Sequence, residues 1–267
     1  MPEVRDRRWL IEQIRKRAPW YQRIEFPAYG VTTTDDPAWM YEDPAWDNYF
    51  PGMAQAEAAR MRPLPKFERL RHLLPDVAGK SVIEIGSACG FFVFEFCRRG
   101  ASFVTGLDIS EANVEKARFC AGVLGLGQAR FAAGDIGTYR ESHDVVWGAS
   151  LHEHFFFPFY YLTRLLCLAR EKLVLETHQF VRDDQARICR LDLDPTVPPS
   201  GGSHAFHFSR TMFLDFLKML DVPDSAIEER VFYDDSTVRR LLLSVDTRDF
   251  QRRRRSHSYL RPLDDIG

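Results

Sequence analysis

The chain lacks the features that would place it in a bilayer or tie it together with disulfides. Its richest apolar run, Phe155 to Leu168, is interrupted by Pro158 and Arg164. That run falls short of the roughly 20 apolar residues a spanning helix needs. The five cysteines (Cys89, Cys97, Cys120, Cys167 and Cys189) are odd in number and form no CxxC pair. Such usage suits free thiols in a reducing compartment. The start of the chain carries acidic and basic residues where a secretory leader would be apolar. Charge of one sign is also scarce: 36 Lys and Arg against 38 Asp and Glu leave a formal net charge of −2. No global field therefore draws the chain to nucleic acid or to a membrane. No internal repeat is visible. These absences predict a soluble, cytoplasmic protein.

Basic residues are present but unevenly spread. Arg5 to Arg17 is a basic, helix-like stretch, and Arg252 to Arg255 is a run of four arginines. Either is a solvated face or a contact for an anionic partner. With 45% apolar residues over 267 positions, the chain can bury the core of one α/β domain with an added cap.

From Lys80 to His178, short β-like runs alternate with helical ones. The expected order is strand Ser81–Ile85, helix Phe91–Arg99, strand Ser102–Leu107, then a helix Glu111–Val123 capped by Ser110. Strands Gln128–Ala133 and Asp144–Ala149 follow, then a helix from Pro158 to about Ala169 and a strand Lys172–Thr177. Strands this apolar, alternating with helices, imply a parallel sheet covered on both faces. Right-handed crossovers then line the strand C-termini along one edge, where ligands bind. Downstream, Asp192–Ser203 reads as a long Pro/Gly loop, Thr211–Leu220 as a helix, and Ile227–Tyr233 and Val238–Val245 as strands completing the sheet. Before Lys80 come a basic amphipathic helix, an aromatic stretch from Ala18 to Pro51, and a helix from Met53 to about Leu74. This predicts a cap over residues 1–75, a cofactor-binding domain over 76–250 with a lid at 183–209, and a basic tail at 251–267.

The first strand ends Glu84-Ile85-Gly86-Ser87-Ala88-Cys89-Gly90. A dinucleotide fingerprint needs a third glycine where Phe91 stands, so a pyrophosphate ligand is disfavoured. What remains is an acid two places before Gly86 and a second glycine at Gly90. A carboxylate there can take a ligand's ammonium group, while Ser87 and the glycines let the backbone approach. The second strand ends Asp108-Ile109-Ser110, with Asp108 where a ribose-binding acid is expected. The third ends Gly134-Asp135-Ile136, which can meet an adenine amine. Three acids in order, each at a strand end, point to an adenosyl amino acid.

These segments resemble the class I S-adenosylmethionine (SAM)-dependent methyltransferases over about Lys80 to His178. The resemblance implies a Rossmann-like, doubly wound, seven-stranded α/β sheet with an antiparallel last strand. It also implies SN2 methyl transfer from SAM to an oxygen, nitrogen or carbon nucleophile. Glu84, Gly86, Ser87, Gly90, Asp108, Ile109, Asp135, Ile136 and Ser150 would then bind the cofactor. A narrower resemblance links Pro65 to Leu74, Val82 to Gly86, Asp144 to Leu162 and Lys172 to Thr177 to the bacterial tRNA wobble-uridine carboxymethyltransferases. That group uses a carboxylated SAM, held by a lysine, a tyrosine and an arginine. Those places fall here on Arg23, Glu153 and Arg240. A carboxylate at Glu153 would repel the extra carboxylate of such a cofactor, so plain SAM is expected, with Glu153 paired to Arg240 or Arg23.

Methyl transfer depends mostly on alignment, with a base helping where the acceptor is a hydroxyl or ammonium. The fourth strand leads into Ser150-Leu151-His152-Glu153-His154, placing His152 and His154 as candidate bases and Glu153 as orienting residue. His178, after the fifth strand, reaches the same edge. The histidines could instead pack structurally, and their spacing is too unspecific for a metal site. Arg23, Tyr29, Tyr160 and Arg240 are the candidate substrate contacts. Dense aromatics in the cap and after the fourth strand serve as core or as a flat acceptor pocket. Three functions remain: a small-molecule methyltransferase, a tRNA-modifying enzyme, and a SAM-binding regulator without catalysis.

Overall fold

The computed structural model describes residues 6–40, 60–151, 154–155, 157–179, 187, 189–193, 204–234 and 239–254. Helix α1 (Arg7–Lys16) begins at Asp6, whose carboxylate accepts from the Trp9 N–H at 2.7 Å. It buries Leu10 and Ile14 and keeps Arg7, Arg8, Arg15 and Lys16 exposed, so the basic stretch is the outer face of an amphipathic helix. A two-residue ribbon follows, β1 (Glu25–Phe26) against β2 (Val31–Thr32). The helix expected from Met53 is described from Arg60. It turns at Arg62-Pro63 before α2 (Leu64–Leu70), because proline cannot continue a helical hydrogen-bond ladder.

The main sheet then forms: β3 (Ser81–Ile85), α3 (Phe91–Arg98), β4 (Phe103–Asp108), α4 (Glu111–Leu124), β5 (Ala129–Ala133) and β6 (His143–Ala149). Next come α5 (Pro158–Leu168), β7 (Ala169–Gln179), β8 (Cys189–Leu193), β9 (His204–Phe208) and α6 (Arg210–Met219). The described chain closes with β10 (Ile227–Asp234), β11 (Arg239–Asp246) and α7 (Arg248–Arg253). Local chemistry sets the helix ends. Ser110 Oγ accepts from Asn113 N at the start of α4, and Gly125, at φ 68°, ends it in a left-handed turn. Pro158 opens α5 where its missing N–H costs nothing.

Seven strands make one sheet in the order β10-β11-β7-β6-β3-β4-β5. Strands β3 to β7 are parallel, and β11 runs antiparallel to both β7 and β10. The direction of progression reverses at β3, which has β4 on one side and β6 on the other. Ligands of open α/β sheets bind at such a switch point. The expected loop Asp192–Ser203 is in part a hairpin arm: Cys189–Leu193 pairs antiparallel with His204–Phe208 outside the main sheet. Strand β7 is also longer than the apolar run Lys172–Thr177, because β11 pairs with it from Lys172 to Gln179.

Two apolar layers cover the sheet. One joins Phe91, Phe92, Phe96 and Trp147 to Leu10, Ile14, Trp20, Phe26 and Leu70. The residues before Lys80 therefore share the core of the sheet rather than sitting only over its edge. The other layer packs Leu162, Leu165, Leu166 and Leu217 on the opposite face. Cys89, Cys97, Cys120 and Cys167 are buried free thiols, and Cys189 is an exposed one. No described helix is long and apolar enough to cross a membrane.

Candidate functional site

The turn between β3 and α3 is shaped by backbone conformations that favour glycine. Gly86 has φ +70° and Gly90 φ +94°. A methyl group on Gly86 would meet Leu151 Cδ1 at 2.8 Å, and one on Gly90 would meet Phe94 and Phe131 at 2.9 and 3.0 Å. Ala88 is held at φ 47° by its N–H bond to Asp108 Oδ2, 2.7 Å away. Asp108 Oδ1 accepts from Ser110 N at 2.9 Å and Asn113 Nδ2 at 3.3 Å. Asp108 thus fastens the glycine turn to the start of α4. With four lone-pair sites on a carboxylate, acceptor capacity is left for ligand hydroxyls. Beside it the Ile109 side chain is 81% exposed, an apolar surface that a planar ring could cover. Ser87 is sealed, its hydroxyl without a partner among the described residues.

Glu84 sits one strand position before the turn, 2% exposed, with Oε2 accepting from Val93 N at 3.1 Å. Burial pushes its carboxyl well above the usual carboxylate range; the Val93 bond opposes that rise and the negative charge of Asp108 adds to it. Glu84, Gly86 and Ala88 line a cleft with Tyr21, Gln22, Arg62, Lys66, Ser150 and His154.

At the far side of this cleft lies a buried ionic cluster. Lys66 Nζ donates to Glu176 Oε2 at 2.8 Å and to Ser150 Oγ at 2.7 Å. Arg240 Nη1 donates to Glu176 Oε1 at 2.5 Å and to Ser150 Oγ at 3.2 Å. Ser150 in turn donates its hydroxyl proton to Glu176 Oε2. Burial alone would raise the Glu176 carboxyl, but the charges of Lys66 and Arg240 and the bonds from Lys66 and Ser150 hold it well below the usual range. Lys66 is lowered, chiefly by burial, against the raising effect of Glu176.

The predicted residues separate accordingly. Glu84, Gly86, Gly90 and Asp108 meet around the glycine turn. Ser150 belongs to the ionic cluster. Asp135 Oδ1 accepts from Gly137 N at 2.6 Å, with the Tyr161 hydroxyl 3.3 Å from Oδ2. Ile136 is 3% exposed and packs in the core, so only its backbone is available to a ligand, not its side chain. Arg240 pairs with Glu176, because β11 sets it opposite His178 and diagonal to Glu176; its expected pairing with Glu153 falls on a residue outside the described ones. Arg23 bonds Glu25 at 3.0 Å and Thr34 at 3.5 Å. Tyr29 packs against the core, and Tyr160 packs edge-on to Tyr161. None of Arg23, Tyr29, Tyr160 and Arg240 lines the cleft. His154 does, and it is exposed. His152 and Glu153 lie outside the described residues, and of His178 only the backbone pairing is described.

The residues not anticipated are Gln22, Lys66 and Glu176. The signal for the last was present: an acid inside the apolar strand Leu173-Val174-Leu175-Glu176 needs a cation beside it. Its partner Lys66 comes from 110 residues earlier in the chain.

Residues 76–189 match a family model described as a methyltransferase domain. Fold and site agree with a methyltransferase domain over this segment, which carries the glycine turn and strands β3 to β7 of the sheet. A ubiquinone biosynthesis O-methyltransferase of Neisseria meningitidis serogroup A is 31% identical over 83 residues, 30% of this chain. The chain spans only about a third (35%) of that relative's length. Among solved structures, the N-terminal domain of EvdMO1, crystallised in the presence of S-adenosylhomocysteine (SAH) and D-fucose, superposes with a TM-score of 0.64 at 16% identity. That match covers 92% of this chain and 99% of the other. A SAM-dependent methyltransferase from Mesorhizobium loti gives 0.50 at 19% identity, covering 68% of this chain and 97% of its own.

Proposed function

We propose that the chain transfers the methyl group of SAM to a small-molecule acceptor. The observation that carries this reading is the pairing of Glu84 and Asp108 around one glycine turn. Glu84 is a buried carboxylate facing a cleft with a single hydrogen bond, so a ligand ammonium supplies its missing countercharge. Asp108, with the exposed Ile109 beside it, receives the ribose and base, and Asp135 receives the adenine amine. SAM supplies the electrophilic methyl. The protein aligns the acceptor with it and keeps water from the cleft. His154 is placed to take a proton from a hydroxyl acceptor. His152, Glu153 and His178 remain candidates on the same edge. Residues 183–209, including the β8–β9 hairpin, serve as a lid, with Phe208 packed against Phe159 at 5.2 Å.

Plain SAM fits better than a carboxylated form, because Lys66 and Arg240 already share Glu176. The same satisfaction weighs against the wobble-uridine reading. So does the arginine run: Arg252 and Arg253 pair with Asp249, and Arg254 donates to Cys167 O at 3.0 Å. The open cleft beside Glu84 favours catalysis over a regulator that only holds the cofactor. The free thiols, four of them buried, support a cytoplasmic setting. A screen of small-molecule acceptors with methyl-labelled SAM tests the proposal. Label transferred to a small molecule, and lost in His154→Ala while SAM binding persists, supports it. Label transferred only to tRNA, or to nothing, contradicts it.

A further inference from the structure

The segment before α1's successor strands does more than pack on the sheet. It is fastened to α4 and to the start of α3, where the glycine turn ends. Lys116 Nζ, on α4, donates to Pro19 O at 2.5 Å. Gln22 is 7% exposed, and its Oε1 accepts from Phe91 N, the first residue of α3, at 3.2 Å. That bond fixes which way the amide points. Its nitrogen, Nε2, is left as a donor with no partner among the described residues, on a side chain that lines the cleft.

Gln22 and Glu84 are held by the same helix turn. Gln22 bonds the N–H of residue 91 and Glu84 the N–H of residue 93. The cleft therefore offers, side by side, an acceptor with negative character and a fixed donor. An α-amino acid presents the complementary pair, an ammonium and a carboxylate on one carbon. Resting on the cofactor reading above, we propose that Gln22 Nε2 donates to the carboxylate of the cofactor's amino-acid end while Glu84 takes its ammonium. The N-terminal segment thereby becomes part of the cofactor site. The amide nitrogen opens onto the cleft, and a carboxylate is the acceptor with which such a donor forms its strongest bond.

The test compares SAM with decarboxylated SAM, which keeps the adenosine, sulfonium and ammonium and lacks only the carboxylate. Calorimetric affinities are measured on the full chain, wild type and two variants. Gln22→Ala is expected to weaken SAM by about tenfold or more, as for loss of a hydrogen bond to a charged group, and to leave decarboxylated SAM unchanged. Gln22→Glu keeps an oxygen for the Phe91 N–H and replaces the donor with a second negative atom. It is expected to weaken SAM further than Gln22→Ala while sparing decarboxylated SAM. Equal weakening of both ligands, or no change in either, overturns the proposal, with circular dichroism confirming that each variant is folded. If wild-type protein binds neither ligand, the cofactor reading itself has failed. If it binds SAM and decarboxylated SAM equally well, only the role of Gln22 has failed.

Discussion

Arg240 Nη1 lies 2.5 Å from Glu176 Oε1, and the two side chains are 4% and 0% exposed. Lys66 closes the cluster from the other side at 2.8 Å. One carboxylate thus serves two cations contributed by the last strand and by the helix before the sheet. Taking these charges out of water is costly, so the cluster specifies an arrangement more than it adds net stability. It joins α2, β6 and β11 where the β6 chain turns toward the cleft. Ser150 sits at φ 48° at that turn.

Removing the shared carboxylate should be far worse than removing one cation. Glu176→Ala removes the carboxylate that Lys66 and Arg240 share, and a loss of about 3–5 kcal/mol in urea unfolding is expected. Arg240→Met, which leaves the Lys66–Glu176 pair, should cost less. Acid should act in the same direction. The folded Glu176 carboxyl is depressed, so its contribution is complete above the ordinary value of about 4.3 and is lost as pH falls below it toward the folded value. Equal unfolding midpoints for wild type and Glu176→Ala would contradict this account of the cluster.

His143 gives a second acid-sensitive element, remote from the cleft. Burial pushes its imidazole down to about 4, and its Nε2 lies 2.9 Å from the Tyr139 hydroxyl. Between about 6.5 and 4 the unfolded chain binds the proton and the folded one does not, so stability falls as pH falls through that window. Urea midpoints at several pH values should show a steeper decline for wild type than for His143→Phe. Parallel curves would show that His143 does not titrate on unfolding.

Asp108 links architecture to ligand. Its Oδ2 holds the Ala88 N–H, and a carboxylate with three donors keeps acceptor capacity for a ligand hydroxyl. SAH should raise the melting temperature of wild-type protein. Asp108→Ala should abolish that rise. Asp108→Asn, which keeps one acceptor oxygen, should retain part of it. A full ligand-induced rise in Asp108→Ala would remove Asp108 from the site.

Gly90→Ala tests the turn itself. The new methyl group would meet Phe94 at 2.9 Å and Phe131 at 3.0 Å, at a backbone φ of +94°. Strain of this kind costs roughly 1–3 kcal/mol. Gly122→Ala, where nothing lies within 4 Å of an added methyl and the residue is inside α4, should be neutral or stabilising. Equal melting temperatures for the two variants would show that the turn tolerates a side chain.

Much of the sheet was legible because its strands are short apolar runs ended by acids. Glu84, Asp108 and Asp135 announce three strand ends by sequence alone. The β8–β9 hairpin was not legible. Cys189-Arg190-Leu191-Asp192-Leu193 alternates apolar and charged residues as a strand does, but the Pro/Gly-rich stretch from Asp192 to Ser203 overlaps its end and reads as a loop. Lys66 and Gln22 were hidden for a different reason. A lysine or glutamine on an N-terminal segment is ordinarily solvated, and only the packing of that segment into the core brings these two into the cleft. Ile136 shows the converse: a residue beside a site acid that its own apolar side chain pulls into the core.

The most direct test is calorimetric titration of SAH into folded wild-type protein in two buffers of different ionisation enthalpy. Because burial keeps the Glu84 carboxyl raised and a ligand ammonium stabilises its charged form, binding should release protons. The measured heat should therefore depend on the buffer, and Glu84→Gln should remove that dependence. Saturable binding with a buffer-dependent heat is the predicted result. Absence of binding, or binding as tight in Glu84→Gln as in wild type, would contradict the assignment of Glu84 to the cofactor's ammonium group.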